Sequence, residues 1–162
     1  MKKIFSIVAV MVMALLPTAC LDANLDDIES YHGHEVTGVY GVYHRYINEN
    51  DTIAGSGEPA VQQVQLSSSN VQIDAEAGTV TFDGALPSGL PASQVGKVSK
   101  KALVVSLNIS TASVVTPVDG SPALGVPADW TKPNKYKVTA ADGSSQVWTV
   151  SVANFTGTGW AD

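Results

Sequence analysis

Residues 136–152 read YKVTAADGSSQVWTVSV, and this stretch decides the fold. It holds two runs in which apolar and polar residues alternate, a pattern that predicts β-strands with one buried face. The residues on that face are Tyr136, Val138 and Ala140 in the first run and Trp148, Val150 and Val152 in the second. Asp142 and Gly143 lie between the runs and predict a turn, because glycine accepts a positive φ. The result is an antiparallel hairpin whose apolar face needs a second layer to cover it.

Alternating runs before the hairpin predict the remaining strands. Residues 36–47, 61–82 and 102–110 are rich in β-branched and aromatic residues, and residues 102–110 have the pattern of a central strand. Residues 48–59 have the composition of a loop, and residues 86–101 that of an extended connection. No segment after Cys20 shows the 3.6-residue period of an amphipathic helix.

Seven or eight short strands, separated by glycine and proline, predict an all-β fold, specifically an immunoglobulin-like antiparallel β-sandwich. Cys20 is the single cysteine, so the chain has no internal disulfide and its core must be held by apolar burial. Trp148 is expected at the centre of that core and Trp130 at one end of the sandwich.

The N-terminus predicts an export signal. Lys2 and Lys3 precede an uncharged apolar stretch at residues 4–16. At 1.5 Å per residue this stretch reaches roughly 20 Å, short of the roughly 30 Å core of a bilayer. Residues 17–20, PTAC, resemble the lipobox of bacterial lipoproteins, in which the cysteine becomes the lipid-modified first residue, although Pro17 stands where leucine or valine is commonest. The alternative is an ordinary secretory signal cleaved near Ala19.

These features divide the chain into a signal peptide at 1–19, an acidic tether at 20–35, a β-sandwich at 36–155 and a short tail at 156–162. The tether holds five acidic residues and no lysine or arginine. It resembles the acidic signal that sends Bacteroidota lipoproteins to the outer face of the outer membrane, which implies lipid anchoring through Cys20 and surface display. The whole chain has a formal net charge of −6, which argues against nucleic acid as a partner.

Residues 64–152 resemble an immunoglobulin-like domain of Bacteroidota surface lipoproteins. The resemblance rests on the hairpin at 136–152 and on four further segments: IDAEAGTV at 73–80, LVVSLNIS at 103–110, VTPVDG at 115–120 and DWTKP at 129–133. Such modules form the N-terminal domain of cell-surface glycan-binding lipoproteins, or precede a jelly-roll domain assigned to carbohydrate metabolism. The resemblance implies an accessory or interaction module beside carbohydrate-uptake or adhesion machinery. The sequence ends nine residues after Ala153, so no second, binding domain is expected.

Aromatic residues are the candidate contacts for a ligand, because their faces stack on the C–H surfaces of sugar rings. Alternation places Tyr136 and Trp148 in the core. Four other aromatic residues are candidate contacts: Tyr40, Tyr43, Tyr46 and Trp160. They support an alternative function, direct recognition of a surface glycan. A further alternative is a structural subunit of a surface assembly that pairs through an open edge strand.

The sequence shows no catalytic motif, and the protein is predicted not to be an enzyme and to need no cofactor or metal. It lacks G-x-S-x-G, H-E-x-x-H and a phosphate-binding loop, although the two carboxylates of a glycosidase need only meet in space. His32, His34, Glu35 and His44 are a weak metal signal. Residues 74–78 are better explained as a hairpin turn than as a calcium loop. Thr52, in an Asp-Thr-Ile triplet, resembles a Bacteroidota O-glycosylation site, with a plain polar loop as the alternative.

Overall fold

Seven strands build the part of the chain that the computed structural model describes, residues 31–161. In chain order they are β1 (Val36–Thr52), β2 (Pro59–Asp74), β3 (Thr79–Ala85), β4 (Leu103–Ile109), β5 (Val114–Val118), β6 (Asn134–Thr139) and β7 (Ser145–Thr156). Two single 3₁₀ turns, at Ala92–Gln94 and Lys100–Ala102, are the helical elements of this part. The predicted all-β class, the number of strands and the absence of a disulfide are confirmed. Cys20 and the predicted signal peptide lie outside the described residues.

The strands form one continuous mixed sheet in the order β4-β1-β2-β3-β7-β6-β5. The long strand β2 belongs to both halves, since its residues up to Leu66 pair with β1 and those from Ser67 pair with β3. Apolar side chains of β1 and β4 pack in the same core as those of β3, β6 and β7. The sheet therefore folds over a single core, as the hairpin's apolar face requires.

Two details of the predicted sandwich differ in the structure. β3 and β7 pair in parallel, whereas every pair was expected to be antiparallel. A parallel pair needs a long crossover, and here the chain between the two strands contains β4, β5 and β6. β1 and β2 are also longer than predicted, with 17 and 16 residues. Residues 48–52 belong to β1 where the composition predicted a loop, and β2 is one strand over Pro59–Asp74 where short strands were predicted.

The predicted hairpin is present as β6 and β7, with Tyr136 opposite Trp148. The six residues assigned to its inner face are all buried. Gly143 has a φ of 87°, and the Asp142 carboxylate accepts a hydrogen bond of 2.9 Å from the Ser144 amide. Trp130 is buried as well. The local pattern thus identified both the turn and the core.

β4 was predicted to be central but lies at one end of the strand order. Its apolar run is buried because residues 125–128 cover its outer edge. Leu103 and Ala128 exchange backbone hydrogen bonds of 3.1 and 3.0 Å, and the Gly125 amide donates to the Val105 carbonyl at 3.0 Å. A continuous apolar run predicts a strand that is buried on both faces. Here a loop, residues 125–128, lies along the edge where a neighbouring strand was expected.

The other edge strand, β5, has five residues and contains Pro117. Proline has no N–H to donate, and within sheets it is confined to edges, strand starts and bulges. A short strand with a proline is a common protection against pairing with another chain. The two outermost strands of the sheet, β4 and β5, are therefore both protected against pairing with another chain.

The connections are distributed unevenly between the two ends of the fold. At one end lie short turns at residues 75–78, 110–113 and 140–144, together with the incoming segment 31–35; we call this the entry end. At the opposite end lie residues 53–58, 86–102, 119–133 and 157–161; we call this the loop end. None of the described residues forms a helix long and apolar enough to cross a membrane.

Candidate functional site at the loop end

A polar trough opens at the loop end between β1 and the first 3₁₀ turn. Its volume is about 170 Å³, and it is lined by residues 47–50 of β1 and by Ser93, Gln94 and Lys97. β4 pairs with β1 only as far as His44, so this part of β1 has a free edge along the trough. The lining combines amide, hydroxyl, carboxylate and ammonium groups.

Gln94, which lines the trough, forms a buried polar pair with His44. His44 and Gln94 are each only 5% exposed, and His44 Nε2 lies 3.1 Å from Gln94 Oε1. Because an amide oxygen only accepts, Nε2 carries the proton and Nδ1 is left as an acceptor. Nδ1 has no hydrogen-bond partner among the described residues. The Gln94 amide nitrogen has one long contact, 3.4 Å to Ser93 Oγ, so it retains donor capacity next to the trough.

A network of amides fixes the β1 side of the trough. Gln62 Oε1 accepts hydrogen bonds of 3.1 Å from both Tyr46 Oη and Asn48 Nδ2. Gln62 Nε2 donates to Asp51 Oδ2 at 2.9 Å. The Tyr46 ring also stacks on His44, with 5.7 Å between ring centroids. Pre-positioned amides and carboxylates suit hydroxyl-bearing ligands, because a hydroxyl both donates and accepts.

A mixed groove of about 340 Å³ lies beside the C-terminal segment; it is lined by Leu86, Pro87, Ser88, Leu90, Val95, Gly157 and Thr158. The C-terminal segment is held in place. The Gly96 amide donates to the Gly159 carbonyl, and the Ala161 amide donates to the Val98 carbonyl at 2.6 Å. Trp160 packs edge-on against Phe155, with 5.3 Å between ring centroids. Trp160 is half-buried and remains a candidate contact beside this groove.

The three candidate tyrosines do not form one surface. Tyr40 is 67% exposed. Tyr43 lies over Gly41, where a Cβ atom would stand 2.5 Å from the Tyr43 hydroxyl. Tyr46 lies on the opposite face of β1, where it bonds Gln62. Of the three, Tyr46 belongs to the network beside the polar trough. Thr52 is exposed at the end of β1, and its glycosylation stays a prediction.

The entry end carries a side-chain cluster that the sequence analysis missed. His32 Nδ1 lies 2.7 Å from Asp142 Oδ2, and the Asp142 amide donates to the Tyr31 carbonyl at 3.3 Å. The buried Trp148 donates its indole N–H to the His34 carbonyl at 3.0 Å. The hydrogen bonds from His32 and then Ser144 hold the pKa of Asp142 well below its usual range. We call these contacts the entry clasp, because they hold residues 31–35 against the β6–β7 turn.

The serine, histidines and aspartate of the entry clasp do not have the geometry of a catalytic triad. His34 Nδ1 lies 2.9 Å from the His32 carbonyl oxygen, so Nδ1 must carry a proton and cannot accept one from Ser144. The Ser144 hydroxyl donates to Asp142 Oδ1 at 2.6 Å. Glu35 accepts from the Ser110 hydroxyl at 2.6 Å, which lowers the pKa of Glu35. Across residues 31–161, no group of three or more histidine, cysteine and acidic residues is placed to hold a metal ion.

Comparison with known proteins places this architecture in a family. The family described as DUF5018-related matches residues 36–151. The crystal structure of a "putative secreted protein" from Bacteroides fragilis NCTC 9343 is similar, with 42% sequence identity and a TM-score of 0.69. The match covers 79% of this chain and 100% of that one. No functionally curated protein matches. The Bacteroides relative agrees with the Bacteroidota resemblance and with an extracellular location.

Proposed function

The chain belongs to the DUF5018-related family, and we propose that it is a non-enzymatic, immunoglobulin-like module anchored to the outer membrane by a lipid on Cys20. It presents its loop end to a partner at the cell surface. Its role is accessory to carbohydrate uptake or to adhesion.

The opposition of the two ends is the observation that carries this proposal. The described part of the chain begins at residues 31–35, on the entry end, while the polar trough and the mixed groove open at the loop end. β1 connects the two ends with 17 residues, which at about 3.3 Å per residue is roughly 50 Å. The first described residues therefore lie at the end of the fold opposite the cavities.

The entry clasp supports the same arrangement. A domain on a loose linker samples all orientations, whereas here the last residues before β1 are bound to the β6–β7 turn and to Trp148. The clasp fixes residues 31–35 at the end opposite the cavities. This position suits a module that projects its binding end away from an N-terminal anchor.

Replacing Cys20 with alanine tests the anchor. We expect Cys20→Ala to move the protein from the membrane fraction to the soluble fraction, while the control Ser30→Ala, a neutral change in the tether, stays with the membrane. Protease treatment of intact cells then reports surface display of the Cys20 form. Membrane retention of Cys20→Ala would contradict lipid anchoring.

A second candidate function is direct glycan binding, and the polar trough is the observation that favours it. Its fixed amides, buried Gln94 and exposed Lys97 offer the donors and acceptors that sugar hydroxyls need. On a glycan array with calcium present, we expect Lys97→Ala and Asn50→Ala to lose signal, and Lys137→Ala on β6 to keep it. An array without any hit would count against glycan binding and leave the accessory role.

A further inference from the structure

The end of the β1–β2 hairpin projects beyond the sheet as a two-stranded ribbon. β4 pairs with β1 only up to His44, whereas β1 and β2 stay paired up to Thr52 and Pro59. Residues 45–52 of β1 and 59–63 of β2 therefore have no third strand beside them among the described residues; we call them the projecting ribbon. Two-stranded hairpins are marginally stable in water unless something covers one face.

The two faces of the projecting ribbon differ. Tyr46 and Gln62 are opposite each other and hydrogen-bonded on the inner face, where Tyr46 also stacks on His44. Since successive residues of a strand alternate between faces, the neighbouring pair of Ile47 and Val61 lies on the outer face, and Ile47 also borders the polar trough. These two side chains are also directly opposite each other and are 63% and 61% exposed. Single exposed apolar residues are ordinary, but here two β-branched residues form one uncovered patch.

Charge is distributed unevenly on the two sides of this patch. Arg45 lies on the side of the domain, opposite Gln63. On the side of the tip lie Glu49 and Glu58, whereas Asp51 is bonded to Gln62 of the inner face; residues 46–60 contain no lysine or arginine. Along the ribbon, the order is therefore basic, apolar, acidic. Such an order is complementary to itself when a second ribbon runs in the opposite direction.

We propose that the outer face of the projecting ribbon binds a second copy of this chain in a two-fold symmetric dimer. The two-fold axis lies between the two ribbons, perpendicular to their strands and level with the Ile47–Val61 pair, so the partner ribbon runs in the opposite direction. The two apolar patches then meet at the centre, and each Arg45 faces the acidic tip of the other copy. The contact uses the outer face of the ribbon and leaves the strand edges unpaired.

The dimer is expected to be weak. The outer face of two short strands buries less than the roughly 1,200 Å² that stable complexes need. Attachment of both copies to one membrane would raise their effective concentration, but the pairing itself does not depend on an anchor. A failure of the Cys20 experiment and a failure of dimerisation are therefore distinguishable.

Sedimentation of residues 31–162 over a concentration series tests the dimer. This fragment is a compact unit that contains the whole core, and the similar Bacteroides fragilis chain was crystallised at the length of the match. We expect reversible self-association that Val61→Thr weakens at least tenfold, because threonine keeps the β-branched shape but adds a hydroxyl. The matched control is Val114→Thr on β5, an equally exposed valine at 63%, which should dimerise like the parent. A parent chain that stays monomeric up to about 1 mM overturns the proposal.

Exchange of charges tests the orientation. Arg45→Glu and the double variant Glu49→Lys, Glu58→Lys should each be monomeric, because each places like charges against each other in a homodimer. Mixed in equal amounts, the two variants should form a heterodimer, because every contact is then between opposite charges. Arg45 also donates to the Gly125 carbonyl at 3.2 Å, so recovery in the mixture shows that the variant is folded. Failure of the mixture to associate overturns the two-fold arrangement. Equal weakening of self-association by Val61→Thr and by the Val114→Thr control would overturn it as well.

Discussion

The entry end and the loop end satisfy their polar groups to different degrees. At the entry end, His32 is hydrogen-bonded to Asp142 of the β6–β7 turn, and the indole N–H of Trp148 donates to the His34 carbonyl. The unpaired buried polar atoms within residues 31–161 are His44 Nδ1, Trp130 Nε1 and Tyr136 Oη. Trp130 lies in a loop-end connection and stacks on Tyr136, with 6.2 Å between ring centroids. Burial raises the pKa of Tyr136 to about 12.

Unpaired buried groups are uncommon in native proteins and need an explanation. The loop end also holds the cavities and the long connections, which are the usual places for binding. The difference shows that the entry end satisfies its buried side-chain polar groups better than the loop end does.

The largest expected effect is the loss of Trp148. Trp148→Ala removes the biggest buried side chain of the hairpin and the donor to the His34 carbonyl. A core tryptophan cut to alanine costs about 3–5 kcal/mol in the free energy of unfolding, which approaches the whole stability of a small domain. Chemical denaturation followed by circular dichroism measures it. A loss below about 1 kcal/mol would show that Trp148 is not central to the core.

A milder substitution compares the two ends directly. Trp148→Phe leaves the His34 carbonyl without its donor, whereas Trp130→Phe removes an N–H that has no partner. A lost buried hydrogen bond costs about 1–3 kcal/mol, so Trp148→Phe should destabilise the protein more than Trp130→Phe by about that amount. Both variants lose the same volume, which cancels the packing contribution to first order. Equal losses would remove the proposed difference between the ends.

The sequence predicted what is encoded locally and missed what depends on distant partners. The β6–β7 hairpin follows from a period of two and an Asp-Gly turn within 17 residues (136–152). The edge position of β4 depends on cover by residues 125–128, and the parallel pairing of β3 with β7 depends on topology. The entry clasp joins His32 and Asp142, which are 110 residues apart, and no local pattern marks such a pair. The polar trough likewise forms only when Gln94 reaches His44, 50 residues away.

The smallest expected effect is the pH dependence of the entry clasp. The pKa of Asp142 is lowered in the folded protein, while an aspartate in the unfolded protein has a pKa of about 3.9. As the pH falls, the unfolded state therefore takes up the proton first, and the stabilisation that the carboxylate provides is lost. That stabilisation is fully present above about pH 5 and declines as the pH falls through the unfolded value and towards the folded one.

Asp142→Asn isolates this contribution. The variant should be less stable than the parent at neutral pH, and the difference should shrink below about pH 4. At that pH the parent loses the stabilisation by the ionised carboxylate, which the variant lacks at every pH. The control Asp119→Asn removes an exposed pair with Lys135 at the loop end, where such pairs contribute little. Denaturation curves at pH 7, 4 and 2 measure the convergence. A difference that is constant over this range would show that the Asp142 carboxylate does not hold the entry segment through its charge.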